Sequence, residues 1–199
     1  MGQIIDRASS PLFLTNTQRK VEEVTRNWTV ETVVSAANVA KVKYFNTRRN
    51  YALSFEEFIT LPFLFLYKRP NGECESAENL QRIWYIFCNG GFQDEEIDEN
   101  TGNIIYPQSW NNEHIDGLQF FSSILWVLPR RSDDRDKIFA TFHLFDFSNT
   151  QKLSKVEVIT LLTCCLSGLH IFTEGFILLP RVDHLQFIVE HIFENDRLF

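Results

Sequence analysis

Residues 144–158 read LFDFSNTQKLSKVEV, and the interpretation of this stretch decides the fold of the chain. Asp146 opens its polar part, Glu157 closes it, and small residues with side-chain oxygens alternate between them. Such a row of oxygen atoms is typical of a loop that surrounds a hard cation. Ser154 and Glu157 also have the spacing of a capping box, which begins a helix without any metal. The stretch therefore predicts either a cation-binding loop or a metal-free turn into a helix.

The end of this stretch is repeated twice elsewhere in the chain. Each copy has an apolar residue, then Ser or Asp, two variable residues, Glu or Gln, and a second apolar residue; the copies are residues 153–158, 53–58 and 115–120. Amphipathic segments precede and follow every copy, so the repeated unit is a helix–loop–helix. Three such units indicate EF-hands. The predicted fold class is all-α, with EF-hand pairs in a calmodulin-like two-lobe architecture and short β-bridges between the loops.

The third loop has the full ligand spacing of an EF-hand, in which positions 1, 3, 5, 7, 9 and 12 coordinate calcium. The candidate metal ligands are Asp146, Ser148, Thr150, the carbonyl of Lys152, Ser154 and Glu157. Only two of these are carboxylates, and Gln151 replaces the glycine that the sharp turn favours. We therefore expect calcium to be possible at this one site but weakly bound, and a metal-free loop of EF-hand shape is the favoured interpretation.

The other loops depart further from a metal site. Arg48 takes the third position of the first loop (46–57), where a ligand belongs, so no ion is expected there. The second loop is expanded to residues 88–119 and contains the acidic segment QDEEIDENTGN, which predicts a solvated loop or a partner-specific contact. Residues 183–193 resemble the entering helix of a fourth unit, which is either degenerate or continued in a longer product. Pro62 is predicted to end the helix after the first loop, and the apolar stripe after the third loop continues until Gly168.

The sequence predicts three segments along the chain. Residues 1–28 form an N-terminal extension with a short helix, residues 29–130 an N-terminal EF-hand pair, and residues 131–199 a C-terminal lobe.

The segments LSFEEFITLPFL (53–64), NLQRIWYIF (79–87) and RDKIFATFHLFDF (135–147) resemble the calcineurin B-like branch of the EF-hand superfamily, which includes calcineurin B, the calcium- and integrin-binding proteins and the calaxin-type ciliary proteins. The resemblance covers about residues 30–170 and departs from the family at the second loop, at Gln151 and at the fourth unit.

This resemblance implies a non-catalytic protein that holds an amphipathic helix of a larger partner in an apolar groove. The chain has 19 Phe and only its initiator Met, so the groove would be rigid and suited to one dedicated partner. The residues expected to line it are Phe55, Phe58, Leu61, Phe120, Phe142, Phe145, Ile159 and Leu162. The alternative is a calcium-independent structural component of a cytoskeletal or ciliary assembly.

Several other functions are not indicated. A net charge of −7 argues against nucleic-acid binding, and no small-molecule substrate or membrane span is expected. Cys164, Cys165 and His170 are predicted to be helix residues and not a thiol nucleophile with its base. His184 and His191 lack the partners of a zinc site. The composition of the N-terminus does not predict secretion. Myristoylation is not predicted either, because Asp6 stands where Ser or Thr is required. A cytoplasmic location is expected, with the cytoskeleton or cilium as a more specific one.

Overall fold

The computed structural model describes residues 15–48, 50–61, 77–89, 114–128, 133–175 and 177–195. This part of the chain is mostly helical with one short two-stranded sheet, as the all-α prediction requires. The helices are α1 (Asn16–Val24), α2 (Val30–Ala40), α3 (Asn46–Arg48), α4 (Phe55–Ile59), α5 (Ala77–Cys88), α6 (Gly117–Val127), α7 (Asp134–Phe145), α8 (Lys155–Phe172) and α9 (Val182–Asn195). The strands are β1 (Ala52–Ser54) and β2 (His114–Asp116), and a π-helical turn (Lys41–Phe45) extends α2.

The three repeated segments begin helices α4, α6 and α8 by the same device. The side chains of Ser54 and Ser154 each accept a hydrogen bond from the backbone N–H of the glutamate three residues later. The carboxylates of Glu57 and Glu157 in turn accept a hydrogen bond from the backbone N–H of the serine. Asp116 caps α6 with its side chain. These bonds satisfy backbone groups that a helix N-terminus otherwise leaves without partners. The capping-box interpretation is confirmed at Ser54 and Ser154.

Strands β1 and β2 join the first two repeats. They pair antiparallel with Leu53 opposite Ile115, and both side chains are buried. These two residues hold the same place, the leading apolar residue, in their copies of the repeat. The N–H of Gly117 donates to the Tyr51 carbonyl at 2.7 Å, which extends the contact by one more bond. The pairing therefore sets two helix starts side by side.

A single large core connects α1, α2 and α4 through α8. Its centre is aromatic: the rings of Phe58 and Trp84 lie 5.3 Å apart, and those of Phe58 and Phe120 lie 5.1 Å apart at nearly right angles. A smaller cluster under the third loop contains Leu118 and Phe145. The predicted N-terminal pair and C-terminal lobe thus share one core in the described part.

Helix α8 crosses α6 at Gly168 and does not end there. The predicted apolar stripe stopped at Gly168, yet α8 continues to Phe172. A Cβ at this position would lie 2.7 Å from the Cβ of Ser123 on α6, so glycine is present for close packing and not for helix termination. Pro62, which was predicted to end the helix after the first loop, lies outside the described residues; α4 ends earlier, at Ile59.

Contacts near the ends of α8 and α6 attach two further helices. The hydroxyl of Thr15 donates to the Phe172 carbonyl, and the Thr17 N–H donates to Glu174 at 2.9 Å, so α1 is fixed to the end of α8. The buried Lys137 of α7 donates to the Leu128 carbonyl at 2.8 Å, just beyond α6.

By length and composition, α8 is the one helix among the described residues that could cross a membrane. The sequence analysis expected no such segment. Core helices of globular proteins pass the same test, and α8 packs against both α6 and α9. Length and composition alone are weak evidence for a span, and 28% of the residues of α8 are buried inside the described structure.

Candidate functional site

Asp146, the first candidate ligand, organises the third loop. It is buried and accepts hydrogen bonds from the backbone N–H groups of Gln151 at 2.9 Å and Thr150 at 3.1 Å, and from the Ser148 hydroxyl at 3.3 Å. Burial alone would raise the pKa of Asp146, but these hydrogen bonds outweigh it and place the pKa below its ordinary value. The carboxylate is therefore held in its charged form inside the loop.

Backbone conformation in this loop follows the expectation from the missing glycine. Gln151 has a φ of +58° and Asn149 a φ of +51°, both in the left-handed region. Asparagine tolerates this region, whereas a residue such as glutamine is strained there by roughly 1–2 kcal/mol. The turn thus keeps its shape despite an unfavourable residue at its sharpest point.

Glu157, the last candidate ligand, is buried and fully engaged with the backbone. One oxygen accepts from the Ser154 N–H at 2.7 Å, and the other accepts from the Phe147 N–H at 3.0 Å. Hydrogen bonds from Ser154, its backbone N–H first, lower the pKa of Glu157. The carboxylate links the start of α8 to the start of the loop.

The candidate ligand positions of the third loop offer only oxygen atoms. The hydroxyls of Ser148 and Thr150 are 3.0 Å apart, and Thr150 donates to the Lys152 carbonyl at 3.0 Å, so the ligand positions converge. All the donors are hard oxygens, as calcium prefers. No group of three or more His, Cys, Asp or Glu side chains that could hold a metal occurs among the residues the structure describes. A cation here would therefore depend on hydroxyl and carbonyl oxygens in addition to two carboxylates.

The first loop contains its own cation. The Arg48 guanidinium donates to both oxygens of Glu57, with Nη1 at 3.0 Å from Oε2, and lies 6.0 Å from the centre of the Tyr44 ring. Burial would raise the pKa of Glu57, but the bonds from Arg48 and Ser54 outweigh it and lower the pKa. The bond to Glu57 also raises the pKa of Arg48. The loop thus places a guanidinium beside the carboxylate that would bind calcium.

The expanded part of the second loop, residues 90–113, lies outside the described residues, as do residues 1–14. The predicted solvated or partner-specific loop and the predicted unmodified N-terminus therefore both lie outside the described residues.

Half of the residues predicted to line a partner groove belong to the core of this structure. Phe58, Leu61, Phe120 and Phe145 are completely buried, so they are core residues, in two separate clusters. The remaining four are half-buried: Phe55, Phe142, Ile159 and Leu162. Helical periodicity identified the apolar faces, but neighbouring helices cover the faces that these residues were assigned to.

An open groove lies between α6, α7 and α2 with its π-helical turn. Its volume is about 1010 Å³, and its lining includes the buried side chains of Val33, Phe121 and Leu125. Two further lining residues, Val42 and Phe139, are 69% and 65% exposed. The polar lining residues are Glu31, Ser35, Asn38, Lys41, Lys43, Asp136, His143 and Asn149. Helical spacing places Phe139 on the same apolar side of α7 as Phe142, but spacing alone does not show whether that side is open.

Burial favours the protonated form of the adjacent thiols Cys164 and Cys165. Burial raises the pKa of Cys164 to about 12 and also raises that of Cys165. His170 lies 2.7 Å from the Ile177 carbonyl through its Nδ1 atom. These contacts agree with the interpretation of all three as structural helix residues.

No protein-family model, no curated protein and no solved structure matches the chain.

Proposed function

We propose that this protein is a non-catalytic EF-hand-type adaptor or regulatory subunit that binds an amphipathic helix of a larger partner. The binding site is the groove between α2, α6 and α7, and the calcium response is weak or absent. The single observation that carries the proposal is this groove, which exposes Val42 and Phe139 above an apolar floor. Exposed apolar side chains around a concave surface are typical of a site for another molecule.

Three features support EF-hand units. Leu53 and Ile115 pair at equivalent positions of two repeats, which is the short β-bridge expected between EF-hand loops. The exiting helices begin at capped Ser54 and Ser154. Asp146 holds the third loop together from the first ligand position. The first two features were expected from the repeat, and the third from the ligand spacing of the loop.

The shape of the groove favours a helix over a compact ligand. Its α2 wall extends over residues 30–43, which is about 20 Å at roughly 1.5 Å per residue. A volume of about 1010 Å³ is near the upper limit for small-molecule pockets, roughly 1,000 Å³. An amphipathic helix fills such an elongated site with residues at i, i+3, i+4 and i+7.

A selection from a displayed library of amphipathic helical peptides tests this function. We expect binders that share apolar residues at that spacing, and we expect Phe139→Glu to weaken them at least tenfold because it puts a charge in the groove. Ile138→Glu is the matched control, since Ile138 is 57% exposed on the same helix but does not line the groove. A library that yields no binder, or binders equally sensitive to both variants, would reject the proposal.

The second candidate is a calcium-independent structural component of a cytoskeletal or ciliary assembly. It is favoured by the ion pair of Arg48 with Glu57 and by the backbone bonds that engage Glu157, because both carboxylates have partners without calcium. Isothermal titration with calcium and magnesium distinguishes the two. Heat that disappears in Asp146→Ala and Glu157→Gln indicates a sensor, and absence of heat in the wild type favours the structural component.

A further inference from the structure

Helix α9 has a covered face and an open face. Leu185 and Val189 are buried, and α9 packs against α8. The open face follows the helical spacing i, i+3, i+4, i+7 and i+8. It consists of His184, Phe187, Ile188, His191 and Ile192. Phe187, Ile188 and Ile192 are 72%, 48% and 50% exposed, so the residues that the structure describes leave these apolar side chains largely uncovered.

Two acidic residues border the open face. Glu190 and Glu194 lie at i+3 and i+7 from Phe187, so they follow it on the same side of the helix. Both are exposed, and neither has an ion-pair partner within the described ranges. At the other end of α9, Asp183 is paired with Arg181 at 3.2 Å. The unpaired negative charge is thus concentrated in the C-terminal half of α9.

The groove has the opposite charge at one end. Lys41 and Lys43 line it at the C-terminal end of the α2 wall, and neither has an ion-pair partner in the part of the chain that the structure describes. Helix α9 has 14 residues, as many as the α2 wall (30–43), so the two have the same length of about 20 Å. When α9 lies along this wall with its C-terminal half beside the π-turn, Glu190 and Glu194 approach the two lysines.

From these matches we infer that a second copy of this chain binds the groove, through the open face of α9. The inference rests on the proposed function, because it requires the groove to accept a helix. Phe187 and Ile188 supply the apolar contact with Val42 and Phe139, and the paired lysines and glutamates set the direction of the helix. Because the groove and the α9 face are different surfaces, the contact forms either twice in a reciprocal two-fold dimer or head to tail in rings or chains of copies. The net charge of −7 opposes this association at long range, so it depends on the local pairing.

Analytical ultracentrifugation of the full chain over a wide range of concentration tests the inference. We expect reversible association of the wild type. Phe139→Glu in the groove and Phe187→Glu on α9 should each weaken it about 10- to 150-fold, as expected for the loss of one buried aromatic contact. Both residues are exposed, so neither variant should alter the circular dichroism spectrum, and Ile138→Glu should associate as the wild type does.

Mixing the two variants tests whether the groove of one copy accepts α9 of another copy. The Phe139→Glu chain retains an intact α9 face and the Phe187→Glu chain retains an intact groove, so together they should form a complex that neither forms alone. The combined reversal Lys43→Glu with Glu190→Lys should restore association that each change alone reduces. A mixture that stays monomeric, or a reversal without rescue, would overturn the inference.

The helical peptide library keeps the two proposals separate. A chain that is monomeric at every concentration but binds selected helical peptides in the groove contradicts self-association and leaves the adaptor function standing. Binding of neither the peptides nor a second copy rejects both proposals. Association that Phe139→Glu leaves unchanged overturns the inference, because it would place the contact outside the groove.

Discussion

Gly168 of α8 lies directly against Ser123 of α6, because the absent side chain of the glycine leaves room for the serine. Replacing glycine by alanine inside a helix ordinarily stabilises a protein by roughly 0.5–1 kcal/mol. Here the added Cβ would lie 2.7 Å from the Ser123 Cβ and 3.3 Å from its Cα. We expect Gly168→Ala to lower the free energy of unfolding by about 1–3 kcal/mol, as overpacking does, measured by urea denaturation.

A second substitution distinguishes steric overlap with the Ser123 side chain from a loss of backbone flexibility at position 168. Ser123→Gly removes the side chain that Gly168→Ala would meet, so the double variant should be more stable than the sum of the two single effects predicts. Additive effects would show that glycine at position 168 serves some purpose other than packing.

At the scale of an element, the third loop is stabilised by ionised carboxylates. The pKa values of Asp146 and Glu157 are lower in the folded protein than in the unfolded chain. Their contribution to stability is therefore complete above the ordinary carboxylate values, near pH 4, and is lost as the pH falls through the lower folded values. We expect the free energy of unfolding to be nearly constant above about pH 5 and to decline below about pH 4.

Urea unfolding at neutral and acidic pH tests this expectation. Asp146→Asn and Glu157→Gln should each be less stable than the wild type at neutral pH and should show a smaller acid decline. Asp134→Asn is the control, because it removes the same charge at an exposed position of α7. An acid decline of equal size in all four proteins would mean that other carboxylates cause it.

At the scale of the whole molecule, the two predicted lobes share their core. Helix α6 of the predicted N-terminal pair (29–130) packs along α8 of the predicted C-terminal lobe, and the Thr17 N–H of α1 donates a hydrogen bond to Glu174 beyond the end of α8. We expect one cooperative unfolding transition. Far-ultraviolet circular dichroism and tryptophan fluorescence should give the same midpoint, since Trp28 and Trp84 are buried in the shared core.

The comparison protein for this measurement is Gly168→Ala. If the halves unfold together, it should move the midpoints of both signals by the same amount. Two separate transitions in the wild type, or a shift in only one signal, would instead describe independent lobes.

The helix starts could be read directly from the chain because capping is local. Ser54, Asp116 and Ser154 bond to backbone groups only three residues away, so the sequence pattern contains both partners. The same holds for the third loop, where Asp146 and Gln151 behave as their positions in the repeat predict. Local rules also indicated that Arg48 would oppose a metal in the first loop, although the sequence could not show that it pairs with Glu57.

By itself, then, the sequence determined the helical class, the repeated starts of helices and the degenerate chemistry of the loops. Only the tertiary structure decided which apolar faces are covered: Phe58 and Phe120 became core, while Phe139 and Phe187 remained exposed. The physical reason is range. Periodicity of 3.6 residues assigns side chains to a face of one helix, but burial of that face depends on another helix that is distant in the sequence.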